Sequence, residues 1–578
     1  MGKNILIHSI SFLLSLVGIL VLVFDIGFDH SENLTTFCNI FYASVLALGI
    51  VSTSVRYYNK VKLPKNAVFI FDCFSVLFSL FVLLRHFIFL EISFLESFIA
   101  NDEWLKYAIL LTFVRESFDI QISVDRTILN PAQLFIVSFL GIIIIGSLLL
   151  LLPNATHSEI SFIDALFTST SAVCVTGLIV VDTGSYFTSL GQSIILFLIQ
   201  VGGLGILTFT SFFSYFFKGG STYENQLTLN SITSSKSLGS VFTTLKYILF
   251  ITFFIELFSA IMIFINLEGS DFKSLSEQIF FSVFHAISSF CNAGFSTLSN
   301  GLYEEGYRFN YGLQLVVILS FIIGGLGFPI VENIFGYFKY MIKRVFGRKS
   351  DFKPWVLNIN SRITLITTFL VTSIAFVIIY SLEHQNTLTE HSSLGKIINA
   401  LFTAATPRTA GFNTVDLSTL TLPTLLFIIL LMWIGASPSS TGGGIKTSTL
   451  AISILNVLSL ARGKSKVEIF KREISTISIR RSYAIIALSV MVIGSSLLIL
   501  SFTEENLSLF GLAFETFSAY STVGLSLGIT DKLSDMGKLV VIFTMFVGRV
   551  SMLSVVIAIF KKIKQKNYNY PTEEILIN

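Results

Sequence analysis

Apolar segments of two lengths alternate along the chain. Long runs of roughly 20 residues, enough to cross the hydrocarbon of a bilayer, fall near 4-25, 36-56, 66-90, 104-120, 134-152, 190-216, 247-266, 312-337, 363-382, 424-460, 483-502 and 538-560. Beyond Pro131, segments too short to cross lie between successive pairs of these runs, at 161-175, 277-292, 395-408 and 508-521. Each short segment leads into a polar hairpin that ends on a glycine: Gly177 in SAVCVTGLIVV, Gly294 in SSFCNAGFSTL, Gly411 in ATPRTAGFNTV and Gly524 in AYSTVGLSLGI. The glycines follow one another at 117, 117 and 113 residues, which marks one supersecondary unit copied four times. A helix that enters a membrane halfway and returns as a loop is tolerated only where it is buried in protein or lines water. Four equivalent hairpins therefore predict a ring around one pore.

Composition places the chain in lipid: of 578 residues 53% are hydrophobic and only 13% charged, where a soluble domain carries about 25%. The expected fold is an all-α polytopic membrane protein, with four span, pore-loop, span repeats around a central pseudo-fourfold pore and about four extra N-terminal helices. The divisions are 1-130 for those extra helices, then pore repeats at 131-220, 245-340, 360-462 and 480-566, and a tail at 567-578. The first run has no small-residue cleavage site after it, so a retained span is expected rather than a signal peptide. Asp72, Arg85, Arg115 and Glu116 put charge in this N-terminal block. A voltage sensor needs arginines at every third position of one helix; the block lacks that series and is expected to pack.

A net charge of +3 gives no reason to expect nucleic acid. The basic residues cluster at Lys339, Lys343, Arg344, Arg348, Lys349 and Lys353, at Arg462, Lys464, Lys466, Lys471, Arg472, Arg480 and Arg481, and at Lys561 to Lys566. Short cytoplasmic loops carry such an excess, whereas Asp29, Glu32, Glu268, Asp271, Glu383, Glu504 and Glu505 lie in the opposite loops. The four hairpins then face outside and both termini are cytoplasmic. The four cysteines form no zinc spacing, and the seven histidines form no HxxxH or HExxH cluster; with no nucleophile motif either, an enzyme is not expected.

Backbone carbonyls can hold a dehydrated cation if the chain turns them to the axis, and glycine allows such a turn because it adopts positive φ cheaply. The candidate filter is Val175, Thr176 and Gly177; Asn292, Ala293 and Gly294; Thr409, Ala410 and Gly411; and Thr522, Val523 and Gly524. Residues 435 to 446, GASPSSTGGGIK, interrupt an otherwise overlong apolar helix, and such a run cannot stay helical cheaply. Gly435, Ser437, Gly442, Gly443, Gly444 and Lys446 are the candidate gate, a movable barrier if the loop lies beneath the filter. The spacing of a phosphate-binding loop is absent. Arg549, midway along the last span, must face protein or water: it could hold this loop, set a charge barrier, do both, or anchor packing. Asp164 and Glu515 are expected to anchor pore helices. A secondary transporter for a small solute, with broken helices in a twofold inverted repeat, is the competing class, and the parallel fourfold pattern speaks against it.

Over roughly 131 to 565 the chain resembles the Trk/Ktr/HKT superfamily of potassium transporters. Gly177, Gly294, Gly411 and Gly524 match its filter glycines, Gly202-Gly203-Leu204-Gly205 and Gly324-Gly325-Leu326-Gly327 match its second spans, and 435-446 matches its intramembrane gating loop. The resemblance implies potassium uptake at the cell inner membrane, with K+ held by carbonyls at Thr176, Asn292, Thr409 and Val523. Glycine at all four positions implies potassium selectivity, and the family's pore-facing arginine maps to Arg549. It also implies a homodimer and a cytosolic nucleotide-binding regulatory subunit docking on the basic links, with no cofactor in this chain. Sodium- or proton-coupled symport stays open. The family has two extra N-terminal spans or none, and four are expected here.

Overall fold

The computed structural model describes residues 2–58, 66–87, 103–117, 131–216, 241–267, 269, 272–346, 357–550 and 552–559. The tail 567-578, Lys561 to Lys566, Arg348, Lys349, Lys353, Glu268 and Asp271 lie outside these residues.

The N-terminal block is a bundle of α1 (Gly2–Gly27), α2 (Glu32–Tyr58), α3 (Asn66–Phe87) and α4 (Glu103–Ser117), packed around Leu22, Tyr42, Leu46, Val82 and Ile109. Its buried charges neutralise one another. Arg56 lies 3.5 Å from both Asp72 and Glu116, and Arg115 reaches Glu116 at 3.3 Å and Ser75 at 3.2 Å. Removing any one partner would leave an uncompensated charge in an apolar bundle. The two arginines stand on different helices, so the cluster fastens α2, α3 and α4 rather than forming a ladder.

From Pro131 the helices are described in four successive groups, numbered as repeats one to four. Repeat one is α5 (Pro131–Leu150), pore helix α6 (Phe162–Cys174) and α7 (Ser189–Phe216); repeat two is α8 (Val241–Ile265), pore helix α9 (Leu275–Phe290), α10 (Tyr311–Leu326) and α11 (Phe328–Val345). Repeat three is α12 (Ile359–Glu383), pore helix α13 (Ser393–Ala405), α14 (Leu422–Trp433) and α15 (Thr447–Ala461); repeat four is α16 (Thr476–Thr503), pore helix α17 (Leu509–Ser521), α18 (Asp535–Val550) and α19 (Met552–Ile559). Among the described residues the only strands are Glu468–Ile469 and Arg472–Glu473, a hairpin in the link between repeats three and four. There Lys466 sits 2.8 Å from Glu473, which raises its pKa.

All four pore helices start the same way. Ser161, Ser274, Ser392 and Ser508 each accept the backbone N–H three residues on, satisfying a donor that lipid could not. At 13 to 16 residues they run about 20 to 24 Å, short of a crossing.

Packing between repeats is cyclic. α7 packs on pore helix α9, α10 on α13, α14 on α17, and α18 returns to α6. Two polar bonds close the circle: Lys538 to Asp164 at 2.5 Å, and Gln133 Nε2 to the Ala558 carbonyl at 2.9 Å.

The second spans depart from the expected continuous helices 190-216 and 312-337. α7 breaks at Gly205 (φ 56, ψ −152), and α10 and α11 meet at Gly327 (φ 82) with a bend of 104°. The expected break in repeat three spans Ile434 to Lys446. In repeats one and two the kink falls on the last residue of Gly-Gly-Leu-Gly, where a side chain would strain the left-handed backbone.

Glu383 and Glu504, two of the acidic residues expected in the outer loops, are buried caps. Glu504 accepts from the Ser534 N–H at 3.1 Å. Glu383 accepts from Thr421 N (3.0 Å), Thr421 Oγ1 (2.9 Å), Thr424 Oγ1 (2.6 Å), Asn386 Nδ2 (2.8 Å) and Thr387 Oγ1 (3.0 Å), joining α12 to the start of α14. Glu383→Gln turns one of the two acceptor oxygens into a donor group that faces at least two existing donors, and a loss of about 1.5–3 kcal/mol is expected, read as a lower unfolding midpoint in detergent. Glu390→Gln removes only the pair with Arg308, in which the carboxylate is 59% exposed, and should change little.

Candidate functional site

The candidate filter hairpins follow directly on the carboxyl ends of the pore helices. The N–H groups of Thr176, Ala293 and Val523 reach back five residues to the carbonyls of Ser171, Ser288 and Ser518 at 2.8, 2.7 and 2.9 Å, while Ala410 closes one residue tighter, on Thr406 at 2.9 Å. Two residues before each glycine the backbone is left-handed: Val175 (φ 57), Asn292 (φ 59), Thr409 (φ 75) and Thr522 (φ 50). The glycines follow at φ 90, 71, 76 and 90. This conformation costs an L side chain about 1–2 kcal/mol, and three of the four residues are β-branched, for which it is rarest. Strain repeated in every copy marks a backbone held for a purpose. A bare cation needs carbonyls turned to one axis, and positive φ at alternate residues is a backbone compatible with that.

The four hairpins meet. A Cβ built on Gly177 would stand 3.2 Å from the Gly294 Cα and collide with the Ala293 oxygen; one on Gly294 would stand 3.0 Å from both the Gly411 Cα and the Ala410 oxygen. A Cβ on Gly411 would collide with the Val523 oxygen and lie 3.4 Å from the Gly524 Cα; one on Gly524 would collide with the Thr176 oxygen and lie 2.9 Å from the Gly177 Cα. The contacts run one, two, three, four and back to one. The oxygens level with the glycines are thus those of Thr176, Ala293, Ala410 and Val523. The expected set with Asn292 and Thr409 mixes two registers, since those residues stand two before their glycines and the other two stand one before. On the far side of the glycines the ring opens into a cavity of about 440 Å³, lined among others by Thr183, Phe295, Asn413 and Ser526.

Hydroxyls that the motif reading overlooked hold the hairpins. Ser171 and Ser518 accept from the N–H of Gly177 and Gly524, each at 3.1 Å. Ser288 and Thr406 donate to the carbonyls of Phe295 and Phe412 at 2.7 and 2.6 Å. The signal was present: Ser171, Ser288 and Ser518 all stand six residues before their glycines. Small residues in the second spans have a matching role, because a Cβ on Gly202, Gly324 or Gly548 would collide with the carbonyl of Val173, Phe290 or Tyr520. Each of those carbonyls stands four residues before a hairpin glycine.

Against this ring lies the loop between α14 and α15. Its backbone is tied by Ser437 N to Gly325 O (3.0 Å), Ile445 N to Trp433 O (3.2 Å) and Thr447 N to Ala436 O (3.2 Å). A Cβ on Gly442 would collide with Thr409 Oγ1 and one on Gly443 with Thr522 Oγ1, so the loop backbone touches the bases of hairpins three and four. Gly444 (φ 68) packs its α-carbon on Gly435. Two cations pin the loop. Arg549, 6% exposed, donates to the carbonyls of Thr441 and Gly202. Lys446 Nζ donates to Gly442 O at 2.5 Å and Gly443 O at 3.4 Å. Among the described residues neither forms an ion pair. The candidate gate residues therefore lie together, immediately against the glycine ring, with two positive charges held by carbonyls alone.

Asp164 and Glu515 stand apart from the ring. Asp164 pairs with Lys538, and Glu515, fully buried, accepts from Thr530 in the loop beyond its hairpin. Both fasten pore helices to neighbouring segments.

The chain matches the family described as TrkH, cation transport protein, over residues 108–570. It is 36% identical over 448 residues to the Ktr system potassium uptake protein B of Bacillus subtilis (strain 168), covering 77% of this chain and 96% of that protein. It is 34% identical over 463 residues to the potassium/sodium uptake protein NtpJ of Enterococcus hirae, covering 78% and 98%. The crystal structure of the potassium transporter TrkH from Vibrio parahaemolyticus has a TM-score of 0.61 to this chain at 16% identity, covering 86% of this chain and 99% of that one, a likeness of fold. α1 to α3 precede the family match, which begins within α4. From the cyclic packing, the closed glycine ring and these similarities together, this multi-pass membrane protein belongs to the TrkH family of cation transport proteins.

Proposed function

We propose that this chain carries potassium into the cell through the glycine ring, with the loop 435-446 as its gate. One observation carries the proposal: four hairpins from four repeats close on one another through bare α-carbons and preceding carbonyls. Four pore helices end three to six residues before the glycines, so the negative ends of their dipoles point toward the ring and favour a cation there. The ion is held by the carbonyls of Thr176, Ala293, Ala410 and Val523. The hairpins face outside, and the Lys and Arg links at 339-353 and 462-481 lie in the cytoplasm with both termini. The chain acts as a homodimer in the cytoplasmic membrane. A cytosolic nucleotide-binding subunit docks on those links, in keeping with two relatives named as parts of a Ktr system.

Flux in liposomes tests this. Moving one charge gains about 2.3 kcal/mol per 100 mV, so an inside-negative potential of about 100 mV should accumulate potassium and rubidium roughly 50-fold, with sodium far behind. Equal uptake of potassium and sodium would overturn the selectivity. Dependence of potassium uptake on external sodium would instead establish coupling, a reading favoured by the name potassium/sodium uptake protein given to one relative.

A further inference from the structure

Two residues before the filter glycines, three of the four side chains are Val175, Thr409 and Thr522, and the fourth is Asn292. Asparagine tolerates left-handed backbone well, which alone would account for its presence. Its carboxamide, however, does not bond locally. Asn292 is 1% exposed; its Oδ1 accepts from Thr441 Oγ1 of the intramembrane loop at 3.0 Å, and its Nδ2 donates to Thr409 Oγ1 of the third hairpin at 3.4 Å. One side chain of hairpin two thus touches hairpin three and the loop at once.

No other hairpin has such a crossbar among the described residues. Val175 has no polar atom to offer, and the buried hydroxyl of Thr522 has no partner. Space for the carboxamide is kept by the second span, where a Cβ on Gly324 would come within 2.8 Å of Asn292 Oδ1. The loop residue that makes the bond is the one whose carbonyl receives Arg549. Thr441 therefore joins the arginine on one side to the filter on the other.

We infer that Asn292 is a positioning residue that couples loop to filter: while the loop is in place, Thr441 holds the carboxamide, the carboxamide holds Thr409, and hairpins two and three keep their spacing. Displacing the loop frees the carboxamide and loosens the ring at that one junction, so discrimination between cations depends on the state of the loop. This inference rests on the loop being a barrier to flux.

The test uses the full-length protein in liposomes, measuring rubidium uptake and the ratio of potassium to sodium uptake. Thr441→Val keeps the side-chain shape and removes the donor; Thr441→Ser keeps the donor. One hydrogen bond corresponds to about fivefold in an equilibrium, so T441V should raise rubidium uptake about fivefold and lower the potassium preference by a similar factor, while T441S stays near the parent in both. Thr409→Val, which removes the other partner, should lower the preference without a comparable rise in uptake. Protein incorporation measured in each preparation guards against misfolding. Faster uptake in T441V with unchanged preference overturns the coupling, as does no change in T441V while Arg549→Ala raises uptake. If neither variant changes uptake, the barrier reading fails and the coupling falls with it.

Discussion

Replacing Gly177 by serine is expected to lower the preference for potassium over sodium by about tenfold or more. The position combines φ 90 with a neighbouring carbonyl, that of Ala293, where the new Cβ would stand. Left-handed backbone alone costs a side chain about 1–2 kcal/mol, and about 1.4 kcal/mol is a factor of ten in an equilibrium. The collision is with backbone, which cannot swing aside as a side chain could. Relief requires hairpins one and two to separate, and a wider ring loses its fit to a bare potassium ion before it loses passage for a partly hydrated sodium ion. Because contacts run round the circle, Gly524→Ser, which strikes the Thr176 carbonyl, should act similarly. Gly141→Ala, where a Cβ would meet nothing within 4 Å, is the control. Competition of sodium with rubidium uptake in liposomes measures all three, and an unchanged preference in G177S would refute the filter assignment.

Replacing Arg549 by alanine is expected to raise rubidium uptake by about tenfold or more in the absence of any partner. Two effects add. The guanidinium bonds Thr441 O and Gly202 O, so its removal unties the loop from α7. It also removes a positive charge from the region beneath the ring, where even at an effective dielectric of about 20 two unit charges 4 Å apart repel by about 4 kcal/mol. A barrier lowered by about 1.4 kcal/mol is tenfold in rate. Arg549→Lys separates the effects: it keeps the charge but not the two-pronged reach. If R549K behaves like the parent, charge dominates; if it behaves like R549A, the two carbonyl bonds do. Unchanged uptake in R549A would exclude both roles.

Much of the site lay open in the amino-acid order. The recurrence of Gly177, Gly294, Gly411 and Gly524 disclosed the repeat, because a backbone that must turn left-handed selects glycine wherever it recurs. The hydroxyls six before three of the glycines keep that register, while the serine caps at 161, 274, 392 and 508 stand 16 to 20 residues before their glycines. Residues 435 to 446 declared themselves by composition, since glycine, serine and proline cannot sustain a helix. The breaks at Gly205 and Gly327 were less legible: Gly-Gly-Leu-Gly is compatible with a packed helix, and what lies beside the bends, the Arg549 guanidinium at Gly205 and the loop at Pro438 and Ser439 at Gly327, comes from distant parts of the chain.

Sequence alone determined what is periodic and local: apolar length, the number of short helices, and the glycines at which each hairpin turns. Tertiary structure alone decided what depends on distant residues meeting. It closed the ring in the order one, two, three, four, fixed Thr176, Ala293, Ala410 and Val523 as the level set of carbonyls, buried Glu383 and Glu504 as caps, and carried Asn292 to Thr441 and Arg549 to Gly202. Those last two contacts span 149 and 347 residues. Periodicity reports which face of a helix is apolar; it holds no record of which distant carbonyl will lie opposite a given side chain once four repeats have closed around one axis.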